Sequence, residues 1–384
     1  MTEAKLETKL DYYEIVRKKL SMGPLAAPKH EKTFELMKVY WDEETIKVLA
    51  HFPKVGERIS LQELVEKSGL PKSHIRKILK KAIKKRTVSV VDKKYGLEPL
   101  LPGIVEAYFI VRADTEENQK KAAEVYRWII KNMGELDKQG MYYFDKNFEM
   151  FRPVLPIEAK EKLIKIDETV STESQVLPYE LVEDMINKNE YFASIPCQCR
   201  YIGKLAGEPC EVAHDELGCF AAGPATQLLA AMGWGKALTK EEAIEYLKKT
   251  EKAGLIHCAS NSYGGEHLFY ICNCCSCHCG LIKPVKEHKF KTVVPSNYTP
   301  QIDPELCVLC KTCAKNCQMG AISFQEADEK MVINSDVCIG CGVCSTNCKK
   351  NAMRMVKTRN KIPPKVNKLG DKMFLEMVGA LLNS

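Results

Sequence analysis

Apolar and charged positions alternate with a changing period along the 384-residue chain. In residues 1–21, Leu6, Leu10, Ile15 and Leu20 stand among charges, which predicts an amphipathic arm. GPLAAPK at 23–29 interrupts it, and a second helical run is expected from about Thr33 to Tyr40. From Glu43 the pattern changes to short helices. Ile46, Leu49 and Ala50 form the stripe of the first. Ser60-Leu61-Gln62-Glu63 is a capping box that opens the second, with Leu61, Leu64 and Val65 inward and Gly69 at its end. Pro71 starts the third, whose inward stripe is Ile75, Ile78, Leu79, Ala82 and Ile83. TVSVV, the turn DKKYG and LEP then predict a small hairpin ending near Pro102.

Residues 103–175 read as a connecting α/β region. EAYFIVR (106–112) predicts a strand. Glu117 to Asn132 predicts a helix with Ala122, Val125, Tyr126, Ile129 and Ile130 on one side. Tyr142, Tyr143, Phe144, Phe148 and Phe151 read as core rather than as a base-stacking platform. A helix beginning near Pro178 turns Leu181, Val182, Met185 and Ile186 inward. Thr239 and Glu242 make a second capping box, for a helix that Gly254 ends. LIHCA (255–259) and HLFYIC (267–272) predict a hairpin turning through NSYGG. A final helix is expected from Lys372 to Leu382, with Met373, Leu375, Met377, Val378 and Leu381 available for packing or a partner.

Length and composition narrow the class. A chain of 384 residues exceeds one domain's core. Its first residues, MTEAKLETKLDYYE, are charged throughout, so no signal peptide is expected. No run approaches the ~18 apolar residues of a membrane span. The 18 cysteines are therefore expected in a reducing cytoplasm, as metal ligands rather than disulfides. A net charge of +7 permits DNA or an acidic protein as partner and selects neither. There is no Gly-rich nucleotide fingerprint, P-loop or catalytic-triad pattern.

The chemistry concentrates in the last quarter. CVLCKTCAKNC supplies Cys307, Cys310, Cys313 and Cys317, and CIGCGVCSTNC supplies Cys338, Cys341, Cys344 and Cys348. Both read C-x2-C-x2-C-x3-C. Three cysteines at this spacing wrap three corners of a cubane, and the fourth reaches the other cluster. One 4Fe–4S cluster is thus expected on Cys307, Cys310, Cys313 and Cys348, and a second on Cys338, Cys341, Cys344 and Cys317. Paired zinc knuckles would need C-x2-C pairs separated by a longer loop. The stretch resembles the bacterial-type two-cluster ferredoxins over roughly Pro295 to Val356, which implies a βαββαβ fold. It departs from that pattern at Gln318 and Lys349, where a proline usually follows the last cysteine. Lys311 stands where a glycine is often found, whereas Gly342 keeps it. A cation at Lys311 is expected to favour the reduced state of the first cluster.

Ten further cysteines lie outside this stretch. Cys197-Gln198-Cys199-Arg200, Cys210 and Cys219 precede the hairpin, whose second strand delivers CNCCSCHC: Cys272, Cys274, Cys275, Cys277, His278 and Cys279. Cys272/Cys275 and Cys274/Cys277 are overlapping C-x2-C pairs that cannot both wrap one metal with the same geometry. A third iron–sulfur cluster, completed by Cys197 and Cys199 with Cys210 or Cys219, is the leading expectation. Zinc on four thiolates, or on three plus His278, is the alternative, and a reactive thiol site is a third. Arg200 is read as a partner of a cluster sulfur, an anionic substrate or, more commonly, a carboxylate. His257 is read as structural and Cys258 as a buried thiol.

The three short helices and hairpin resemble a winged helix-turn-helix over about Glu43 to Pro102. Its third helix carries Lys72, Arg76, Lys77, Lys80, Lys81, Lys84, Lys85 and Arg86, which suits either a DNA groove or an acidic partner. CxCR, two separated cysteines, GLIH and ICNCC ahead of a ferredoxin pair resemble a family of archaeal and bacterial 4Fe–4S dicluster proteins with a winged-helix-like N-terminal part. That family usually has three consecutive cysteines where this chain has Cys277-His278-Cys279. The resemblance implies electron transfer and supplies no substrate.

The expected protein is α+β. It comprises a helical arm (1–42), a winged-helix-like domain (43–102), the connecting region (103–175), a cysteine-rich middle domain (176–290), a two-cluster ferredoxin domain (295–357) and a C-terminal tail helix (358–384). Electron transfer to a redox partner protein is the expected function. A redox-responsive transcription regulator, or an oxidoreductase subunit with its substrate at the middle domain, are the alternatives.

Overall fold

The computed structural model of the chain describes residues 11–21, 26–140, 149–159, 181–224, 226–260 and 269–361. It divides into two compact units, Met1–Asp145 and Lys146–Asn383. Tyr142 to Phe148, the turn through NSYGG, the start near Pro178 and the tail helix from Lys372 lie outside the described residues.

The first unit begins with α1 (Tyr12–Lys19) and α2 (Glu31–Tyr40), the latter capped by His30, whose Nδ1 accepts from the Lys32 amide. α3 (Glu43–Leu49), the short β1 (Ile59–Ser60), α4 (Leu61–Ser68) and α5 (Lys72–Lys84) follow. The Ser60/Glu63 capping box forms in both directions. Ile75, Ile78, Leu79 and Ala82 bury one face of α5. β2 (Ser89–Val91) and β3 (Lys94–Gly96) then form a tight hairpin. Asp92 and Lys93 both have positive φ, the requirement of a two-residue turn matched to strand twist. β1 pairs on the other side of β3, giving the antiparallel order β1-β3-β2.

EAYFIVR is helical, not extended. α6 (Val105–Val111) emerges from a π-turn at Leu100–Ile104 and ends with Arg112 in the left-handed region. Val105, Ala107, Tyr108, Phe109 and Ile110 are all buried. A run buried on every side has no polar period to reveal its conformation, so its aromatic and β-branched content misdirects the sequence reading. α7 (Glu116–Lys131) and α8 (Met133–Lys138) complete the unit.

The second unit is built on a six-stranded antiparallel sheet. Its elements are β4 (Phe151–Pro153), α9 (Val182–Asn187), β5 (Phe192–Ile195), α10 (Gln198–Leu205) and β6 (Cys219–Ala222). After them come α11 (Thr226–Ala231), β7 (Lys236–Leu238), α12 (Lys240–Lys252), β8 (Ile256–Ser260), β9 (Phe269–Cys274) and α13 (Ile282–His288). The strand order is β4-β8-β9-β6-β5-β7. One face buries Phe192, Phe220, Ala259 and Ile271 against Val182, Met185 and Ile186 of α9 and Ala243 and Leu247 of α12. Period-two alternation sends Ile256, Cys258, Cys272 and Cys274 to a second apolar cluster.

The remaining elements run strand, helix, strand, strand, helix, strand: β10 (Tyr298–Ile302), α14 (Thr312–Asn316), β11 (Ile322–Gln325), β12 (Lys330–Ile333), α15 (Val343–Thr346) and β13 (Met353–Lys357). β10 pairs antiparallel with β13, and β11 with β12. The fold is thus α+β. Among the described residues, no helix is long and apolar enough to cross a membrane.

Candidate metal centres

All eighteen cysteines are free thiols. Cys307, Cys310, Cys313 and Cys348 line one hollow, and Cys317, Cys338, Cys341 and Cys344 line another. Each hollow therefore draws three thiols from one run and one from the other. The walls between them are apolar: Ile302, Met331 and Met353 at the first, Met319, Ile322, Ile339 and Val343 at the second. Four thiols around an apolar hollow are the donor set a 4Fe–4S cubane takes, so the residues fit the group.

The loops that carry the thiols share one backbone shape. Leu309 and Lys311 have φ of 53° and 59°, and Gly340 and Gly342, at the same places in the second run, have 68° and 79°. Two left-handed residues coil each loop around its hollow. Lys311 adopts this shape without being glycine, and its ammonium lies 4.1 Å from the centroid of the Phe324 ring. A cation–π contact therefore holds the charge that sequence alone placed beside the first set.

The two hollows differ in exposure. Cys310 is exposed, and so are its neighbours Leu306, Val308 and Leu309. Contact with the Thr312 hydroxyl, 3.4 Å away, holds the Cys310 thiol below its ordinary value. At the second hollow Cys344 is buried, and burial pushes the Cys341 thiol up to about 12. A protonated thiol at neutral pH means that metal loading there releases protons.

The middle cysteines lie against the second hollow. Cys258, Cys274 and Cys279 share a packed cluster with Met319, Ile339 and Val343, and Cys317, Cys338 and Cys341 border it. Strand register explains the grouping. Phe220 pairs with Ile271, which sets Cys219 opposite Cys272, and Cys272 pairs in turn with Cys258 across β8. Cys219 Sγ and Cys272 Sγ are 3.8 Å apart. Cys274 Sγ lies 3.1 Å from Cys279 Sγ, and Cys279 contacts Cys199, which contacts Cys197 at the start of α10. Hydrogen bonding to Cys199 and burial push Cys197 up, and hydrogen bonding to Cys272 and burial do the same to Cys219. This face thus gathers Cys197, Cys199, Cys219, Cys258, Cys272, Cys274 and Cys279. Cys258 is the buried thiol that the sequence suggests; it stands in no motif, and the cross-strand pairing with Cys272 brings it to this face.

Cys210, Cys275, Cys277 and His278 form a separate group, their donor atoms all within 4.8 Å of one another. Neither overlapping C-x2-C pair stays together. Cys272 and Cys274 are i, i+2 on β9 and share a face, whereas Cys275 and Cys277 lie beyond the strand's end. Hydrogen bonds with Cys210 and then Cys277 hold the Cys275 thiol far below its ordinary value, and Arg200 adds to the effect.

Among the described residues, Arg200 is held by backbone carbonyls rather than by the carboxylate expected of it. Its guanidinium donates to the backbone carbonyls of His214 (3.1 Å), Asn273 (3.0 Å) and Leu217, fully buried. It fastens the 214–217 loop to β9 and faces the thiols of Cys197 and Cys275. His257 is held structurally, as expected. Its Nδ1 meets Asn273 Oδ1 at 2.6 Å and its Nε2 meets Glu251 Oε1 at 3.2 Å, all buried. Asn273 Nδ2 donates to the Gly218 carbonyl, which orients its Oδ1 toward His257.

A family model of the 4Fe-4S dicluster domain matches residues 306–352. No curated protein and no solved structure matches the chain. The matched domain and the abundance of free cysteines point to an iron–sulfur electron-transfer role.

Proposed function

We propose that the protein passes single electrons between an external redox partner and its cysteine-rich middle, through two 4Fe–4S centres held crosswise by the C-terminal cysteines. Cys307, Cys310, Cys313 and Cys348 would hold one, and Cys338, Cys341, Cys344 and Cys317 the other. A bound cubane supplies one-electron valence change with little ligand movement. The order of elements in this segment supports a βαββαβ ferredoxin fold. The observation that carries the reading is continuity. Exposed Cys310 marks one end, Cys317 belongs to the packed clusters on both sides, and Cys258 and Cys274 mark the buried end. An apolar rim at Leu306, Val308 and Leu309, with exposed Lys311, Lys315, Lys349 and Lys350 nearby, suits an acidic partner protein. On the sheet face, the seven thiols supply enough donors for a third iron–sulfur centre. Anaerobically purified protein is expected to contain more than about eight irons per chain, two cubanes and a further centre, with spin-coupled EPR signals on reduction. About eight irons or fewer removes the third centre, and magnetically isolated signals remove the relay between the first two.

A second reading rests on the first unit. Lys72, Arg76, Lys77, Lys80, Lys81 and Lys84 are exposed on α5, which holds no acidic residue, and Val90 is exposed in the adjoining hairpin. Three helices and a three-stranded wing support a winged-helix reading, and a helix so charged fits the DNA major groove. Reversing Lys77, Lys80, Lys81 and Lys84 to glutamate is expected to abolish duplex binding. Binding of the unaltered protein should fall by roughly tenfold or more between low and physiological salt as counterions are released. Absence of binding at low salt, oxidised or reduced, sinks this reading.

A further inference from the structure

The middle cysteines belong to two sets, and the smaller has a different chemistry. We propose that Cys210, Cys275, Cys277 and His278 bind one tetrahedral divalent ion of the zinc class, separate from every iron–sulfur centre. This assignment stands independently of the electron-transfer reading.

Spacing is the first argument. Zinc bonds of about 2.3 Å to sulfur and 2.0 Å to nitrogen place tetrahedral donors about 3.5–3.8 Å apart. Cys210 Sγ lies 3.5 Å from Cys277 Sγ, His278 Nδ1 lies 3.1 Å from Cys277 Sγ, and all four donors fall within 4.8 Å of one another. A cubane spreads its four thiolates over four irons and needs wider spacing. The two sets of the C-terminal segment surround hollows, whereas this set converges on a point.

The histidine is prepared for the task. Its Nε2 lies 2.7 Å from the Glu208 carbonyl, an acceptor only, so Nε2 carries the proton. Nδ1 then offers its lone pair toward the thiols, the arrangement in which an outer carbonyl orients a metal-bound imidazole. The ring fits because α10 presents Gly203 to it. A methyl group there would stand 2.1 Å from His278 Cδ2 and 2.4 Å from Nε2.

Charge balance is the third argument. Three thiolates and a divalent cation leave one negative charge. Arg200, buried and hydrogen-bonded in contact with Cys275, supplies the opposite one. The ion would tie the loop after α10 to the chain beyond β9. That second loop also reaches the ferredoxin segment, since the Ser276 amide donates to Gln318 Oε1 at 3.1 Å, next to Cys317. Its role is to brace this junction.

Elemental analysis of the full-length, anaerobically purified protein tests the assignment. About one zinc per chain is expected. Cys210→Ala and His278→Ala should each lower zinc at least tenfold and leave iron unchanged. His278→Cys, which keeps four donors, should retain zinc. Cobalt(II) added to zinc-depleted protein should give tetrahedral d–d bands that differ between the wild type and His278→Cys. Should Cys210→Ala fail to fold, the His278→Cys and cobalt measurements still decide. Iron lost in Cys210→Ala with zinc absent throughout, or cobalt bands identical in wild type and His278→Cys, would overturn the proposal.

Discussion

Replacing Cys348 with alanine is expected to remove the centre at the first hollow, about four irons per chain, and to leave the second intact. Cys348 follows α15 in the second run, yet it lines the hollow of Cys307, Cys310 and Cys313. The three-residue gap before the last cysteine carries the chain past its own loop, and Cys317 makes the mirror-image excursion to Cys338, Cys341 and Cys344. A cubane short of one thiolate loses the unprotected iron first, so a three-iron EPR signal should precede complete loss. Iron and acid-labile sulfide, with EPR of oxidised and reduced samples, provide the measurement. The matching change at Cys317 should spare the first hollow. If Cys348→Ala instead damages the centre of its own run, the crossed assignment is wrong.

Gly340→Ala should cost the second centre or the fold of the segment around it. Its φ of 68° already charges an L-residue about 1–2 kcal/mol. Space adds the larger penalty. A Cβ at this position would lie 2.1 Å from the Tyr298 carbonyl and 2.4 Å from Ser296 Oγ. Tyr298 is buried and paired to β13, so the backbone it would have to displace is held in place. A loss of more than about 3 kcal/mol is expected, near the upper range for single substitutions. Leu309→Gly, at the equivalent place in the first loop, should be neutral or stabilising by up to about 1 kcal/mol, because it removes only the left-handed cost. Denaturant melts and iron content of both variants give the comparison. Equal behaviour of the two would mean that conformation, not close approach, governs these loops.

Legibility tracked the distance over which a feature is encoded. Both capping boxes, at Ser60/Glu63 and Thr239/Glu242, form as read, because four consecutive residues contain all their partners. The amphipathic helices α5 and α7 are where their stripes place them, within a residue or two. The segment 306–352 is recognisable from cysteine spacing alone. Short spacing restricts which directions neighbouring thiols can take, so local sequence carries the chemistry.

The middle region is the opposite case. CNCCSCHC shows that metal is expected there but not how its donors are shared. β9 ends at Cys274, and that ending divides Cys272 and Cys274 from Cys275 and Cys277. The register of β6 and β8 on β9 aligns Cys219 and Cys258 with Cys272 from far along the chain. Gly203 of α10, 75 residues upstream, makes room for His278. α6 shows the same limit, since burial on all sides erased the period that would have marked it as a helix. The sequence by itself determined which short, contiguous runs carry metal-ligand donors and which helices are amphipathic. Only the tertiary structure decided which distant thiols meet, because strand register and side-chain clearance are summed over the whole packed unit and written in no single stretch of it.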